Sequence, residues 1–368
     1  MRSHSRILKS AALIGLALAV QEAPALAGFE PGPLSTIAIS PSRPPLAVAA
    51  FSDDDLFALH SQSHCDDCVP GLDLCEHERH SQLVHYQRQA GGGWTTATVC
   101  DRLPATVDGL AAGPDATLVY AADREGTLEQ LRLTRSDGRW YVADLKTLLR
   151  PEQFKELGLP GQWQTCAVAR DGGLILGFGD AVVRLPPGGA SSKKDVRRLY
   201  SPVESKGGGA LLVAVDAAGQ VWVVDDQART AFTLAPKGQK VTMMGGPDCW
   251  PAGFTPLDVG VSGGQLFVSG RAAGATGAAT QLLVLTPGAK AVPATRQILT
   301  HPFTFALTPG GHVALCDLEN GRLRLLPNGP AESKPEPRPA VAAAEVKAQP
   351  ATPGLLDPKA KPLPLPDR

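Results

Sequence analysis

The stretch Leu211–Leu234, LLVAVDAAGQVWVVDDQARTAFTL, is three apolar runs separated by two polar turns, the first of them tight and glycine-containing. Phe305–Leu326, FALTPGGHVALCDLENGRLRLL, is the other clear copy of this pattern. Further copies lie at Gly109–Leu131, Cys166–Leu185 and Leu257–Leu285, with a more divergent one at Ile37–Leu59. Short runs rich in Val, Leu and Phe and bounded by Gly, Asp and Pro read as strands joined by hairpins. The apolar residues lack the i, i+3, i+4 recurrence of a helical solenoid.

Anchoring each copy on the first apolar residue after its tight turn gives Leu46, Val119, Leu174, Val221, Leu266 and Val313, at successive spacings of 73, 55, 47, 45 and 47 residues. A period of about 40–50 residues with several strands per unit is that of a β-propeller blade. Fourth strands are predicted at Trp94–Val99, Trp140–Leu145, Val196–Tyr200, Val241–Met244 and Arg296–Thr300. The expected fold is all-β: a six-bladed β-propeller over residues 28–330, with an insertion over residues 60–85 in the first blade. The last blade shows no fourth strand of its own. Gly28–Leu34 is proline-rich and poor for pairing, which leaves Val341–Lys347 as a substitute donor.

The two ends differ from this body. Arg2, Arg6 and Lys9 precede an apolar stretch, Ala11–Val20, and Ala25-Leu26-Ala27 forms an A-x-A site, so residues 1–27 read as a secretory signal cleaved after Ala27. A secreted or periplasmic protein is expected, with no membrane span, since no stretch reaches about 18 uninterrupted apolar residues. Residues 331–368 are rich in Pro, Ala, Lys and Glu and lack aromatic residues, the composition of a disordered tail. The formal net charge of −1 supplies no basic surface for nucleic acid.

Seven cysteines in an exported chain point first to disulfides. Three of them share the insertion with five of the eight histidines: His60, His64, Cys65, Cys68, Cys75, His77, His80 and His85. One reading staples this loop by two disulfides drawn from Cys65, Cys68, Cys75 and Cys100. A second gives a soft or borderline metal such as zinc a ligand set from His64, Cys65, Cys68, Cys75, His77 and His80. Of Cys166, Cys249 and Cys316, one or two read as buried small apolar residues, and a Cys166–Cys249 bridge is a further candidate. The count is odd, so one thiol stays free or pairs with another chain.

Ligands of propellers gather where the loop after each second strand meets the loop entering the next blade. Asp123, Asp225 and Asp317 each follow their anchor by four positions there, where the other copies have Ala50, Phe178 and Gly270. Carboxylates on one rim could hold Ca²⁺ or polarise a water, with His301 beside them. The competing reading has each aspartate accept turn amides, or pair with Arg229, Arg271 or Arg322. His312, in a tight turn on the opposite face, reads as solvated.

The segments VWVVDDQAR (221–229) and VALCDLENGR (313–322) resemble the second-strand signature of NHL-type six-bladed propellers and, more distantly, of the calcium-dependent gluconolactonases. This resemblance implies the fold. The lactonase metal site, a glutamate, two asparagines and an aspartate from different blades, is not matched, because the only asparagines, Asn320 and Asn328, stand eight residues apart. The leading expectation is an exported, non-catalytic propeller that binds a protein, peptide or glycan on its rim. The alternatives are a metal-dependent hydrolase or lyase using the rim acids, and a metal-handling protein using the His/Cys loop.

Overall fold

The computed structural model describes residues 35–37, 45–63, 79–104, 109–122, 126–161, 163–202, 209–235, 240–271, 280–294, 304–317 and 321–326. They form six four-stranded antiparallel sheets, five of them with the strands in chain order. Consecutive sheets are the blades of a propeller, numbered one to six from the N-terminal side. Their innermost strands are Pro45–Ala50, Leu110–Gly113, Thr165–Val168, Leu211–Val215, Thr255–Ser262 and Phe305–Leu307.

Burial explains the sequence pattern. Second strands such as Thr117–Ala121, Val221–Asp225 and Val313–Asp317 are buried at every position, because each is covered on both faces by neighbouring blades. They therefore read as continuous apolar runs rather than alternating ones. Outer strands such as Arg139–Leu149 are largely exposed and mostly polar. The buried residues form six separate apolar clusters, one at each junction between adjacent blades. Each buried Leu, Val or Phe contributes about 1.5–3 kcal/mol, so the blades are held mainly by their neighbours.

The ring closes through its N-terminal strand. Ser35–Ile37 pairs antiparallel with Arg322–Leu326 and supplies the outermost strand of blade six, with Ile37 opposite Leu323. Ile37 is buried in the cluster shared by blades six and one, against Leu56, Ala314 and Leu323. This corrects the expected closure: the strand begins just past the proline-rich Gly28–Leu34, while Val341–Lys347 lies outside the described residues.

It also corrects the register of blade one. Leu46 lies in the innermost strand, and the second strand is Asp55–Ser63. The tight turn is Ser52–Asp55, where Ser52 Oγ accepts hydrogen bonds from the amides of Asp54 (3.2 Å) and Asp55 (2.9 Å). No glycine marks this turn, whereas the prolines at 41, 44 and 45 imitate one. The expected insertion over 60–85 is strand at both ends, within Asp55–Ser63 and Arg79–Arg88, and residues 64–78 lie outside the described residues. The predicted strand at Arg296–Thr300 likewise falls outside them; the outer strand of blade five is Val292–Pro293. The 55-residue spacing between blades two and three holds a short helix, Pro151–Leu157, which starts on proline and stops at Gly158 in the left-handed region (φ 70°).

Candidate functional site: the central channel

The six innermost strands enclose a cavity of about 820 Å³. Its walls are mostly Ala, Gly, Val and Leu, joined by Trp163, Gln164, Thr165, Cys166, Asp258 and Thr304. Among the described residues, Asp258 is the single charged side chain in the lining.

Three of these polar groups act across blade junctions. Thr165 Oγ1 accepts a 2.9 Å hydrogen bond from the Val213 amide, joining blade three to blade four. Thr304 Oγ1 donates to the Leu46 carbonyl at 3.0 Å, joining blade six to blade one. The Asp258 carboxylate accepts from the Phe305 amide, joining blade five to blade six, and its Oδ1 also accepts from Val259 N–H at 2.8 Å. An innermost strand has no fifth strand to pair with, so its inward amides and carbonyls need side-chain partners. These clasps satisfy some of them.

The clasps share a register. Thr165 and Asp258 stand opposite Gly177 and Ser269, each the third residue after its anchor, Leu174 or Leu266. The Thr304 carbonyl accepts from the amide of Cys316, third after Val313. Gly177 is required here: a Cβ would collide with the Leu211 carbonyl of the next blade.

Asp258 opens partly onto the channel but is shielded from bulk water. Burial pushes its carboxyl up to about 7, against the pull of the two amide hydrogen bonds. Burial likewise raises the thiols of Cys166 and Cys316 to about 12, so both are neutral thiols at physiological pH. Trp163 is half-buried, and its indole N–H donates to the Gly126 carbonyl at 2.9 Å, which fixes the ring at the channel wall.

Two of the three rim aspartates, Asp225 and Asp317, fall among the described residues. Asp225 is buried at the end of its strand, and its Oδ1 accepts from the Ala228 amide at 2.8 Å, closing the turn. Asp317, equally buried, pairs with Arg324 at 2.7 Å. Arg322 and Arg271 are exposed, and Arg229 donates through Nη2 to the Pro251 carbonyl at 2.9 Å. Asp123 and His301 lie outside the described residues. His312, expected to be solvated, is half-buried, its amide donating to Thr308 Oγ1 at 3.1 Å.

Three of the candidate histidines of the insertion, and Cys100 beyond it, can be placed. His60 and His85 are buried strand residues: His60 Nε2 hydrogen-bonds Tyr86 Oη at 2.8 Å, and His85 Nε2 meets Asp55 Oδ1 at 2.8 Å. His80 lies in the strand Arg79–Arg88, and Cys100 in Trp94–Pro104 carries a free thiol. His64, Cys65, Cys68, Cys75 and His77 lie outside the described residues. Cys166 and Cys249 also carry free thiols, so the bridge expected between them is not formed. They pack into the cores of different blade junctions, two to three and four to five. Among the described residues, no three His, Cys, Asp or Glu side chains group as metal ligands, and no helix is long and apolar enough to cross a membrane.

No family model matches the sequence, and no curated protein matches it. Solved structures resemble it in fold. Virginiamycin B lyase from Staphylococcus aureus, crystallised as an inactive variant with quinupristin, is 12% identical at a TM-score of 0.45, over 80% of this chain and 99% of the lyase. YCF48 bound to a D1 peptide is 11% identical at 0.45, over 81% and 98%. A protein proposed to be a gluconolactonase is 14% identical at 0.40, over 67% and 84%. The chain is thus an all-β, six-bladed propeller whose likeness to the gluconolactonase-like, YCF48 and WD40-type propellers is one of fold.

Proposed function

We propose that the protein is an exported, non-catalytic binding propeller that receives a protein or peptide partner at the mouth of its central channel. The observation that carries this reading is the channel itself: a cavity of about 820 Å³ walled mainly by small apolar side chains, among which Gln164, Thr165, Asp258 and Thr304 present polar groups. Small-molecule and side-chain sites have this size and this balance of surface. The Ala, Val and Leu side chains of that wall suit an inserted apolar side chain. The engagement of Asp225 by its own turn and of Asp317 by Arg324 favours binding over rim-carboxylate hydrolysis. Export rests on the signal-like residues 1–27.

Ala111 lines the channel and belongs to neither flanking core, so a large residue there fills the cavity with least damage to packing. Peptides selected from a displayed library on the native protein should bind Ala111→Trp at least ~10-fold more weakly, a difference of about 1.4 kcal/mol. Selected peptides that bind both proteins equally would place recognition elsewhere.

A further inference from the structure

Asp258 exceeds what its place in the fold requires. At two other junctions the same task, satisfying a backbone group of the next innermost strand, is done by a neutral hydroxyl, Thr165 or Thr304. Burying an ionisable carboxyl costs far more than burying a hydroxyl. Two backbone amides orient it, from Val259 and Phe305, but among the described residues no Lys, Arg or His stands in the lining to neutralise it. The neighbouring thiol of Cys316 supplies no positive charge. Among the described residues, the lining thus presents one carboxyl, one pinned indole and a wall mainly of Ala, Val and Leu, with Gln164, Thr165 and Thr304 as its neutral polar groups. A cation on an apolar stem complements all three: its charge meets the carboxylate, its stem the Ala and Val wall, and an aromatic face adds a favourable cation–π contact.

We infer that the channel recognises a protonated amine carried on an apolar stem, with Asp258 as its counter-ion. This rests on the channel being the binding site. A peptide partner supplies such a group as its amino terminus or as a lysine.

The test uses three near-isosteric probes on the full-length protein: phenethylammonium, 2-phenylethanol and 3-phenylpropionate, titrated by ligand-observed NMR. The ammonium should bind at least ~10-fold tighter than the alcohol, and the carboxylate most weakly. Asp258→Asn keeps one carbonyl oxygen as an acceptor and removes the charge, so it should bring the ammonium down to the affinity of the alcohol and leave the alcohol unchanged. The ratio measured on the native protein stands even if that variant fails to fold. Equal binding of ammonium and alcohol, with both displaced by Ala111→Trp, would overturn the counter-ion and leave the channel as a site. Binding of none of the three, or ammonium binding untouched by Ala111→Trp, would overturn the channel reading and the counter-ion together.

Discussion

Asp258 of blade five accepts a hydrogen bond from the backbone amide of Phe305 in blade six, so a single carboxylate both seals a blade junction and charges the channel wall. Thr165 and Thr304 seal other junctions without charge.

That position makes stability depend on pH in a defined direction. Burial raises the Asp258 carboxyl from 3.8 to about 7. A folded value above the unfolded one means the folded state holds the proton more tightly. Its contribution is therefore complete below about pH 4 and is lost as pH rises through 7. The span is worth at most about 4 kcal/mol. Asp258→Asn should match the native protein near pH 4 and exceed it in stability at pH 8, as read by denaturant unfolding at both values. A constant difference between the two proteins across this range contradicts the buried, uncompensated carboxyl.

The threonine clasps predict an ordinary hydrogen-bond loss. Thr165→Val keeps the shape and leaves the Val213 amide without its 2.9 Å acceptor in a buried place. The cost should be about 1–3 kcal/mol, and Thr165→Ser should recover most of it. Equal stability of the valine and serine variants would mean the hydroxyl contributes nothing to the junction.

Much of this architecture can be read from residues alone, and the limits have physical causes. Val221–Val224 and Val313–Cys316 are legible because strands covered on both faces must be apolar throughout. The blade period follows from them. Blade one is misread because its turn is made by a serine side chain at Ser52 rather than by glycine, and because Ile37 serves the last blade instead of the first. The clasps escape for a different reason. Each is a single polar residue whose partner lies in the next blade, 47 and 48 residues on for Asp258–Phe305 and Thr165–Val213 and 258 residues back for Thr304–Leu46, so only the closed ring gives them meaning. Their shared offset of eight or nine residues before the anchor was the available signal: Leu174 for Thr165, Leu266 for Asp258 and Val313 for Thr304.

Ring closure by Ser35–Ile37 predicts an unusual sensitivity near the N-terminus. Ile37 is buried against residues of blades one and six. Ile37→Ala should cost about 2–5 kcal/mol, whereas removal of residues 1–30 should leave the thermal midpoint unchanged. If removing residues 1–40 also leaves it unchanged, the closing strand is dispensable.

His85 supplies a second pH dependence of opposite sign. Burial among Phe57 and Trp140 lowers its pKa below 6.5, with the hydrogen bond to Asp55 acting against that shift. The unfolded chain therefore takes up a proton first as pH falls. Stability from this group is complete above 6.5 and is lost below it, down to the depressed folded value. His85→Gln should flatten the stability profile below pH 6.5, and NMR should show the native imidazole titrating below the ordinary value of 6.5. An imidazole that titrates at or above 6.5 contradicts the buried assignment.

The most direct measurement is a crystal structure of the protein with a peptide selected on it. The account predicts a side chain or amino terminus of that peptide between the six innermost strands, with its nitrogen hydrogen-bonded to Asp258. A peptide lying along the outer strands, such as Arg139–Leu149, with the channel unfilled, would contradict it.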